Sequence, residues 1–333
     1  MRKPSKTCAG SVTSSSLPAL EDSMAISIQN VMHVNINCSD LERSLIFYRD
    51  IVGLQTGSHT NPVPQDGAGF GMKGQVQWDA HILQDARGFS GPGIDLLEWK
   101  QPGPCGRPHT EPNHLGFFRV CLLVPNIDAV YQRAVSSGVA CESPPVEVPV
   151  DPDSGLIVRV FVCRDPDGTA IEFVQEESVS QAQLIHVNVN CSDLSRSLDW
   201  YEGVLGLQVR GGSHPGPVSG SAFGMDGQVE WDARFLWPSE HDTFAIDLLE
   251  WKTPAPVGKP TARANQLGLY RMAFMVEDIH ACFDELGSLG VDCGPPVFLD
   301  MGPEIPIEGV WALFFPDPDG TCMELIETPK LDE

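Results

Sequence analysis

The chain has 333 residues, of which 21 are basic and 45 acidic, so its formal net charge is −24. A surface this acidic argues against nucleic acid and anionic membranes as partners, since both bind basic faces. No apolar run approaches the length of a membrane span. Ten cysteines without a Cys-x-x-Cys pair predict small buried thiols in a reducing, cytoplasmic compartment rather than a disulfide or zinc framework. We expect a monomer or a homodimer.

The N-terminal residues 1–27 are predicted to be a disordered leader. They are rich in Ser and Thr and lack the apolar segment of a secretory signal. A weak transit peptide stays open as an alternative, because the only charged side chains before Glu21 are the basic Arg2, Lys3 and Lys6.

A long internal repeat organises the rest of the chain. The segment His-Val-Asn-Ile-Asn-Cys-Ser-Asp-Leu recurs with one change, and Ile-Asp-Leu-Leu-Glu-Trp-Lys and Asp-Pro-Asp-Gly-Thr recur unchanged, always 152 or 153 residues apart. The paired starting residues are His33 and His186, Ile94 and Ile246, and Asp165 and Asp317. A sustained period marks a duplicated unit. It predicts two domains, residues 28–176 and 184–328.

The first half begins with a predicted strand and helix. Residues 31–38 alternate between apolar and polar side chains, as a half-buried strand does. Ser39 and Glu42 then form a predicted capping box for a helix that continues to about residue 52. Gly53 is the expected stop of this helix. Short strands separated by Gly and Pro follow, which completes a strand–helix–strand–strand–strand unit.

A second unit of the same kind completes each half. Residues 117–124 predict a strand, and residues 126–137 predict a helix that Gly138 ends. Residues 158–174 predict a hairpin around the Asp-Pro-Asp-Gly turn. In the second half Ser192 is the expected helix cap, and the order of elements is the same.

Together these units resemble the vicinal oxygen chelate superfamily, which includes glyoxalase I, methylmalonyl-CoA epimerase, bleomycin-resistance proteins and extradiol dioxygenases. The resemblance extends over residues 30–328 and is carried by the His-Val-Asn-Ile strand with its helix, by the strand–helix segment RVCLLVPNID, and by the Asp-Pro-Asp-Gly-Thr ending. It implies an α+β fold of four βαβββ modules that form two half-barrel cups. The modules could pair within each half, or the first with the fourth, since the polar linker 175–183 permits either.

The resemblance also implies four inward-pointing positions in each half. They fall on His33, Asp95, Arg119 and Glu172, and on His186, Asp247, Arg271 and Glu324. The imidazoles and carboxylates are implied ligands of a divalent metal such as Zn, Fe, Mn or Ni. Each arginine falls where the family commonly has a histidine. Because a guanidinium stays protonated and only donates hydrogen bonds, we expect it to bridge the carboxylates and to leave the cups metal-free.

Three functions follow from the resemblance, each with a small molecule as partner. The first is a glyoxalase-like lyase or isomerase acting on a small carbonyl compound. Glu172 or Glu324 would move a proton, and Arg119 or Arg271, or a metal, would stabilise the enolate oxygen. The alternative is a non-catalytic binding or resistance protein with a metal-free cup. An extradiol-type dioxygenase ranks third, since it needs two histidines and a carboxylate around iron.

Four further residues are predicted to lie outside the cup floors. Glu98 and Glu250 follow the site aspartates by three residues, so strand parity predicts the opposite face. His59 and His214 share a Gly-Ser-His context and are expected near a cup mouth.

A repeated aromatic and a loop histidine are expected to be structural. Trp78 and Trp231 recur within Trp-Asp-Ala, for which core packing is the expected role. His114 is expected to belong to a loop.

Overall fold

The computed structural model of the protein describes residues 25–329. Most of the predicted leader, residues 1–24, lies outside the described residues. The described chain contains four modules, each with one helix after its first strand, as the repeat predicts. Within residues 25–329, no helix is long and apolar enough to cross a membrane.

The first module consists of β1 (Asn30–Asn37), α1 (Leu41–Phe47), a π-helical turn (Tyr48–Val52), β2 (Gln55–Thr60), β3 (Gln65–Asp66), β4 (Gln75–Gln84) and β5 (Gly93–Gln101). The second consists of β6 (Gly116–Val124), α2 (Ile127–Ser136), β7 (Val146–Asp151), β8 (Leu156–Arg164) and β9 (Ala170–Gln175). The third consists of β10 (Gln183–Asn190), α3 (Leu194–Gly203), β11 (Gln208–Ser213), β12 (Val218–Ser219), β13 (Gln228–Trp237) and β14 (Ala245–Thr253). The fourth consists of β15 (Gly268–Met275), α4 (Ile279–Ser288), β16 (Val297–Asp300), β17 (Gly309–Pro316) and β18 (Cys322–Glu327).

The caps of α1 and α3 differ from the prediction by one residue. The carboxylates of Asp40 and Asp193 accept the capping hydrogen bonds, so the predicted caps at Ser39 and Ser192 are wrong. Both residue types cap well, and the choice is made by a distant contact. The Ser39 hydroxyl donates instead to Asp167 in the second module.

The Asp-Pro-Asp-Gly turn fastens one module to the next. The Asp165 carboxylate accepts hydrogen bonds from the backbone N–H groups of Asp167, Gly168 and Thr169. Its other oxygen accepts from the Tyr48 hydroxyl of the first module at 3.0 Å. Gly168 has φ +103°, which a residue with a side chain resists. The predicted β8–β9 hairpin is confirmed.

The modules are paired by exchange between the halves. One sheet has the order β16-β17-β18-β15-β1-β5-β4-β2 and joins the first module to the fourth. The other has the order β11-β13-β14-β10-β6-β9-β8-β7 and joins the third to the second. At the junctions His33 pairs with Ala273 and His186 with Cys121. Of the two pairings that the sequence leaves open, the structure adopts the exchanged one.

The lengths of the connections are consistent with this exchange. Residues 176–182 link β9 to β10, which flank β6 in the same sheet. The longer connectors 102–115 and 254–267 instead cross from one sheet to the other. They run beside each other, and Leu115 N–H donates to the Val257 carbonyl at 2.9 Å. Each sheet curls into a barrel, called here the first barrel (modules one and four) and the second barrel (modules two and three).

The apolar core has three parts. The largest lies between the two sheets and includes residues of all four helices. A smaller cluster lies on the concave side of each sheet. Trp78 packs there 5.9 Å from Trp99 in the first barrel, and Trp231 packs 5.7 Å from Trp251 in the second. The predicted packing role of the repeated tryptophan is confirmed, because both copies are buried.

Candidate functional site

Four adjacent strands bring the implied site residues of the first barrel together. His33 is on β1, Asp95 on β5, Arg271 on β15 and Glu324 on β18, and all four side chains are buried. Because side chains alternate along a strand, one residue of each strand points into the concave face, and the four lie within two residues of one another in register. This set, called here the first cup, takes its arginine and glutamate from the other half of the sequence.

The arginine of the first cup holds both carboxylates. Arg271 Nε donates to Glu324 Oε2 at 2.7 Å, and its Nη2 donates to Asp95 Oδ2 at 2.8 Å. Asn35 Nδ2 donates to the same Asp95 oxygen at 3.1 Å. His33 Nε2 lies 3.5 Å from Glu324 Oε2 and 3.9 Å from Asp95 Oδ2. The guanidinium therefore bridges the two acids, in agreement with the sequence expectation.

The second cup repeats this arrangement with His186, Asp247, Arg119 and Glu172. Arg119 Nε donates to Glu172 Oε2 at 2.8 Å, and its Nη2 donates to Asp247 Oδ2 at 3.0 Å. His186 Nε2 lies 3.4 Å from the glutamate and 4.0 Å from the aspartate. All eight implied residues are thus brought together, four in each cup.

The buried ion pairs shift the pKa of the glutamates downward. Burial raises the pKa of the Glu172 carboxyl, but the Arg119 guanidinium and the His186 imidazole lower it overall to about 2. Glu324 has the same balance of burial against Arg271, and its pKa also lies below the ordinary value. Burial dominates at Asp247 and, together with the neighbouring Glu172 carboxylate, raises its pKa, although Arg119 and His186 act to lower it. Each glutamate is therefore charged at neutral pH and is a weak base.

The donor set of the first cup does not fit a divalent metal. The carboxylate oxygens nearest His33 already accept hydrogen bonds from Arg271. A metal bound to them would lie beside a permanent cation that offers no lone pair.

Possible metal-ligating groups occur elsewhere in the described chain. In the second cup, ligand atoms of Cys121, Glu172 and His186 lie within 4.8 Å of one another. Cys121 is not among the residues predicted from the sequence, although strand alternation gives the signal, since it lies two residues after the inward-facing Arg119. Burial raises the pKa of its thiol well above the ordinary value. A second group, at the surface, consists of Asp151, Asp153 and His214.

A cavity opens above the first cup. Its volume is about 370 Å³, at the lower end of the roughly 300–1,000 Å³ of small-molecule sites. The four residues of the first cup form its floor. Its walls are mainly apolar and include Phe70, Trp78, Ile82, Leu299, Met301, Ile305, Ile307, Val310 and Phe244. Phe244 comes from the second barrel, so both barrels contribute to the wall.

The second cup has a bulkier wall at the corresponding position. Ile82 pairs with the site aspartate of the first cup, and Phe235 pairs with that of the second. The Phe235 ring lies 5.4 Å from the imidazole of His186, and Trp237 packs 6.1 Å from Phe235. A phenyl ring therefore covers the imidazole of the second cup, whereas Ile82 borders open space in the first.

The remaining sequence candidates lie outside the cup floors. Glu98 caps the first helix, because its carboxylate accepts from Leu41 N–H at 3.0 Å, and Glu250 does the same for α3. Strand parity therefore assigned both to the correct face. His114 stacks on a neighbouring histidine ring in a connector, at 3.5 Å between ring centres. Its predicted loop position is confirmed.

The two Gly-Ser-His segments are not structurally equivalent. Thr60 pairs with Ala80 as Ser213 pairs with Ala233, so His59 corresponds to the residue before Ser213 and not to His214. Both histidines nevertheless contact a carboxylate on the segment between two strands of the other module in their barrel, β16–β17 for His59 and β7–β8 for His214. His59 Nδ1 lies 2.9 Å from Glu304, and His214 Nε2 lies 3.3 Å from Asp153.

Comparisons with known proteins agree with this architecture. A family profile described as the Glyoxalase/Bleomycin resistance protein/Dioxygenase superfamily matches residues 30–173 and 183–325. The solved structure of glyoxalase I from Zea mays is similar at 17% identity and a TM-score of 0.64, covering 90% of this chain and 92% of that one. A putative dioxygenase from Bacillus subtilis is similar at 15% identity and a TM-score of 0.58, covering 92% and 87%. Such low identity establishes the fold alone. A search of curated proteins returns no match.

Proposed function

The chain belongs to the glyoxalase, bleomycin resistance protein and dioxygenase superfamily, and we propose that its first cup is the active site of a lyase or isomerase. Its substrate is a small, uncharged and largely apolar carbonyl compound. The apolar walls of the 370 Å³ cavity support the apolar part of this assignment. The floor argues against an anionic substrate, because one guanidinium faces two carboxyl groups and leaves no surplus positive charge for an anion.

One observation carries the proposal. Arg271 Nη1 and both ring nitrogens of His33 are buried and have no hydrogen-bond partner among the described residues. Buried polar atoms without partners are uncommon and call for an explanation. A substrate carbonyl oxygen would accept a hydrogen bond from Arg271 Nη1, and the neighbouring carbon would then lie beside His33.

His33 is the proposed proton carrier of the first cup, in place of Glu324. The family resemblance implies this role for Glu324, but its hydrogen bond to Arg271 and its lowered pKa make it a weak base. A neutral imidazole takes the proton from the carbon next to the carbonyl, and the enolate oxygen accepts from Arg271. Glu324, 3.5 Å away, stabilises the imidazolium, which returns the proton to the same carbon and so gives exchange or epimerisation. In an α-hydroxy carbonyl compound it can instead protonate the former carbonyl carbon while the α-hydroxyl proton passes to the enolate oxygen, which moves the carbonyl to the neighbouring carbon.

A non-catalytic binding protein is the second candidate. It is favoured by the hydrogen bonds of Arg271 to Asp95 and Glu324, which hold the floor together without any reaction. A dioxygenase ranks below both, because the first cup offers one histidine and holds an arginine where a second would be needed.

Solvent exchange separates the candidates. The protein is incubated with uncharged aldehydes and α-hydroxy ketones in D₂O, and deuterium next to the carbonyl is followed by NMR. We expect His33→Gln to slow exchange by roughly 100-fold or more, while the matched His186→Gln variant keeps the wild-type rate. Tight binding without exchange would favour the binding protein. Equal exchange in wild type and His33→Gln would show that His33 is not the proton carrier.

A further inference from the structure

We propose that residues 301–308 form a hinged cover of the first cup, which a contact between His59 and Glu304 holds closed. The cover selects apolar ligands, because Met301, Ile305 and Ile307 turn toward the cavity. Its role in ligand exchange rests on the proposed function, whereas its opening and closing do not.

The equivalent segment of the second barrel is built differently. There β7 and β8 pair as far as Asp151 and Leu156, so the connection is a tight hairpin. In the first barrel the pairing of β16 and β17 stops at Asp300 and Gly309. The two connections nevertheless have nearly the same length. Counted from the equivalent pairs Leu299–Val310 and Val148–Val158, the connection in the first barrel is one residue longer than that in the second. Residues 301–308 thus leave the ladder and lie over the cavity.

The ends of the cover are suited to act as hinges. At its start, Gln65 and Asp300 exchange two hydrogen bonds of 2.9 and 3.0 Å, which fix the last residue of the strand. Gly302 follows with φ +89°, and a Cβ there would lie 2.8 Å from backbone of Asn61. At its end, a Cβ on Gly309 would lie 2.2 Å from the Leu299 carbonyl oxygen. A side chain at either position would collide with neighbouring backbone, so each position requires glycine.

The middle of the cover is held by polar contacts across the cup mouth. Glu304 Oε2 lies 2.9 Å from His59 Nδ1, and Glu304 Oε1 accepts from Asn61 Nδ2 at 3.1 Å. The Glu304 side chain is 53% exposed, so water competes for these contacts. A contact of this kind closes the cover and still lets it open.

The groups around His59 make the contact sensitive to pH. Its Nε2 lies 2.6 Å from Asp79, its ring stacks on His81 at 4.3 Å, and Lys100 lies 3.8 Å from Asp79. Burial lowers the pKa of His59, but its hydrogen bonds to the Asp79 and Glu304 carboxylates raise it overall above the ordinary value. The contact is therefore strong while His59 is charged and weakens as pH rises through this raised pKa.

The kinetics of a neutral probe test the cover. Prodan, an uncharged naphthyl ketone whose fluorescence reports an apolar surrounding, is bound and then released in a stopped-flow instrument. We expect Glu304→Gln to speed release about two- to fivefold, as for loss of an exposed ion pair. The matched variant Asp153→Asn, on the hairpin of the second barrel, should release prodan at the wild-type rate. Wild-type release should also speed up as pH rises above 6.5 and through the raised pKa of His59, and Glu304→Gln should show little change.

Hydrogen exchange without any ligand separates the cover from the proposed function. Peptides covering residues 297–310 should exchange faster in Glu304→Gln than in wild type or Asp153→Asn. If Glu304→Gln matched the wild type in both the rate of prodan release and the rate of hydrogen exchange, the proposed cover would be wrong. Faster exchange in a protein that does not bind prodan would support the cover and count against the apolar ligand of the proposed function.

Discussion

Removing the arginine of the second cup should destabilise the protein strongly. Arg119→Met leaves the buried carboxylates of Glu172 and Asp247 without their cation. The pKa of Glu172 lies at about 2 instead of the ordinary 4.5, and each pKa unit corresponds to about 1.4 kcal/mol. The charged glutamate is thus stabilised by about 3 kcal/mol, mostly through Arg119. Breaking a buried pair generally costs about 3–5 kcal/mol, and we expect a loss in that range.

Urea unfolding followed by circular dichroism at pH 7 and pH 5 measures this loss. In the wild type, the folded-state pKa of Glu172 is depressed, so its contribution is complete above the unfolded pKa and is lost as pH falls toward about 2. In Arg119→Met the orphaned carboxylates have raised pKa values. The deficit should therefore be largest at pH 7 and shrink toward pH 5 as they take up protons.

Two further variants control the experiment. Arg159→Met removes an ion pair with the exposed Asp128 and should cost less than about 1 kcal/mol. Combining Arg119→Met with Glu172→Gln and Asp247→Asn removes the orphaned charges and should restore most of the stability. A loss below about 1 kcal/mol for Arg119→Met, or a deficit independent of pH, would refute the electrostatic account of the cups.

Three other outcomes are expected. Metal analysis of protein purified without chelators should find no divalent metal that depends on the first cup. One metal equivalent present in the wild type and lost in His33→Gln would contradict this. Ile82→Phe should weaken prodan binding at least tenfold by filling the cavity, whereas Phe235→Ile should leave it intact; equal affinities would show that the probe binds elsewhere. Tyr48→Phe should lower the free energy of unfolding by about 1–3 kcal/mol, since the buried Asp165 carboxylate loses a donor; unchanged urea midpoints would argue against this contact between modules.

The modules and the chemical character of the cup floors follow from the sequence alone. The repeat defined the modules, and the family resemblance of their motifs implied a common inward face for His33, Asp95 and their copies. The arginine at positions 119 and 271 then determined that the carboxylates would be bridged, because a guanidinium donates and never ligates. These properties depend on local periodicity and on the chemistry of single side chains, and both can be read without coordinates.

Which residues share a cup depends on contacts between distant parts of the chain. Both halves carry the same strand pattern, so the sequence allows His33 to lie beside either Arg119 or Arg271. It lies beside Arg271 because the long connectors cross between the sheets. The same holds for the helix cap, where Ser39 and Asp40 are equally suited until Asp167 binds the serine. The asymmetry between the cups is also tertiary, since Ile82 and Phe235 are both ordinary apolar strand residues. Their effect depends on what faces them across the barrel, and contacts between distant segments leave no periodic signal in the chain.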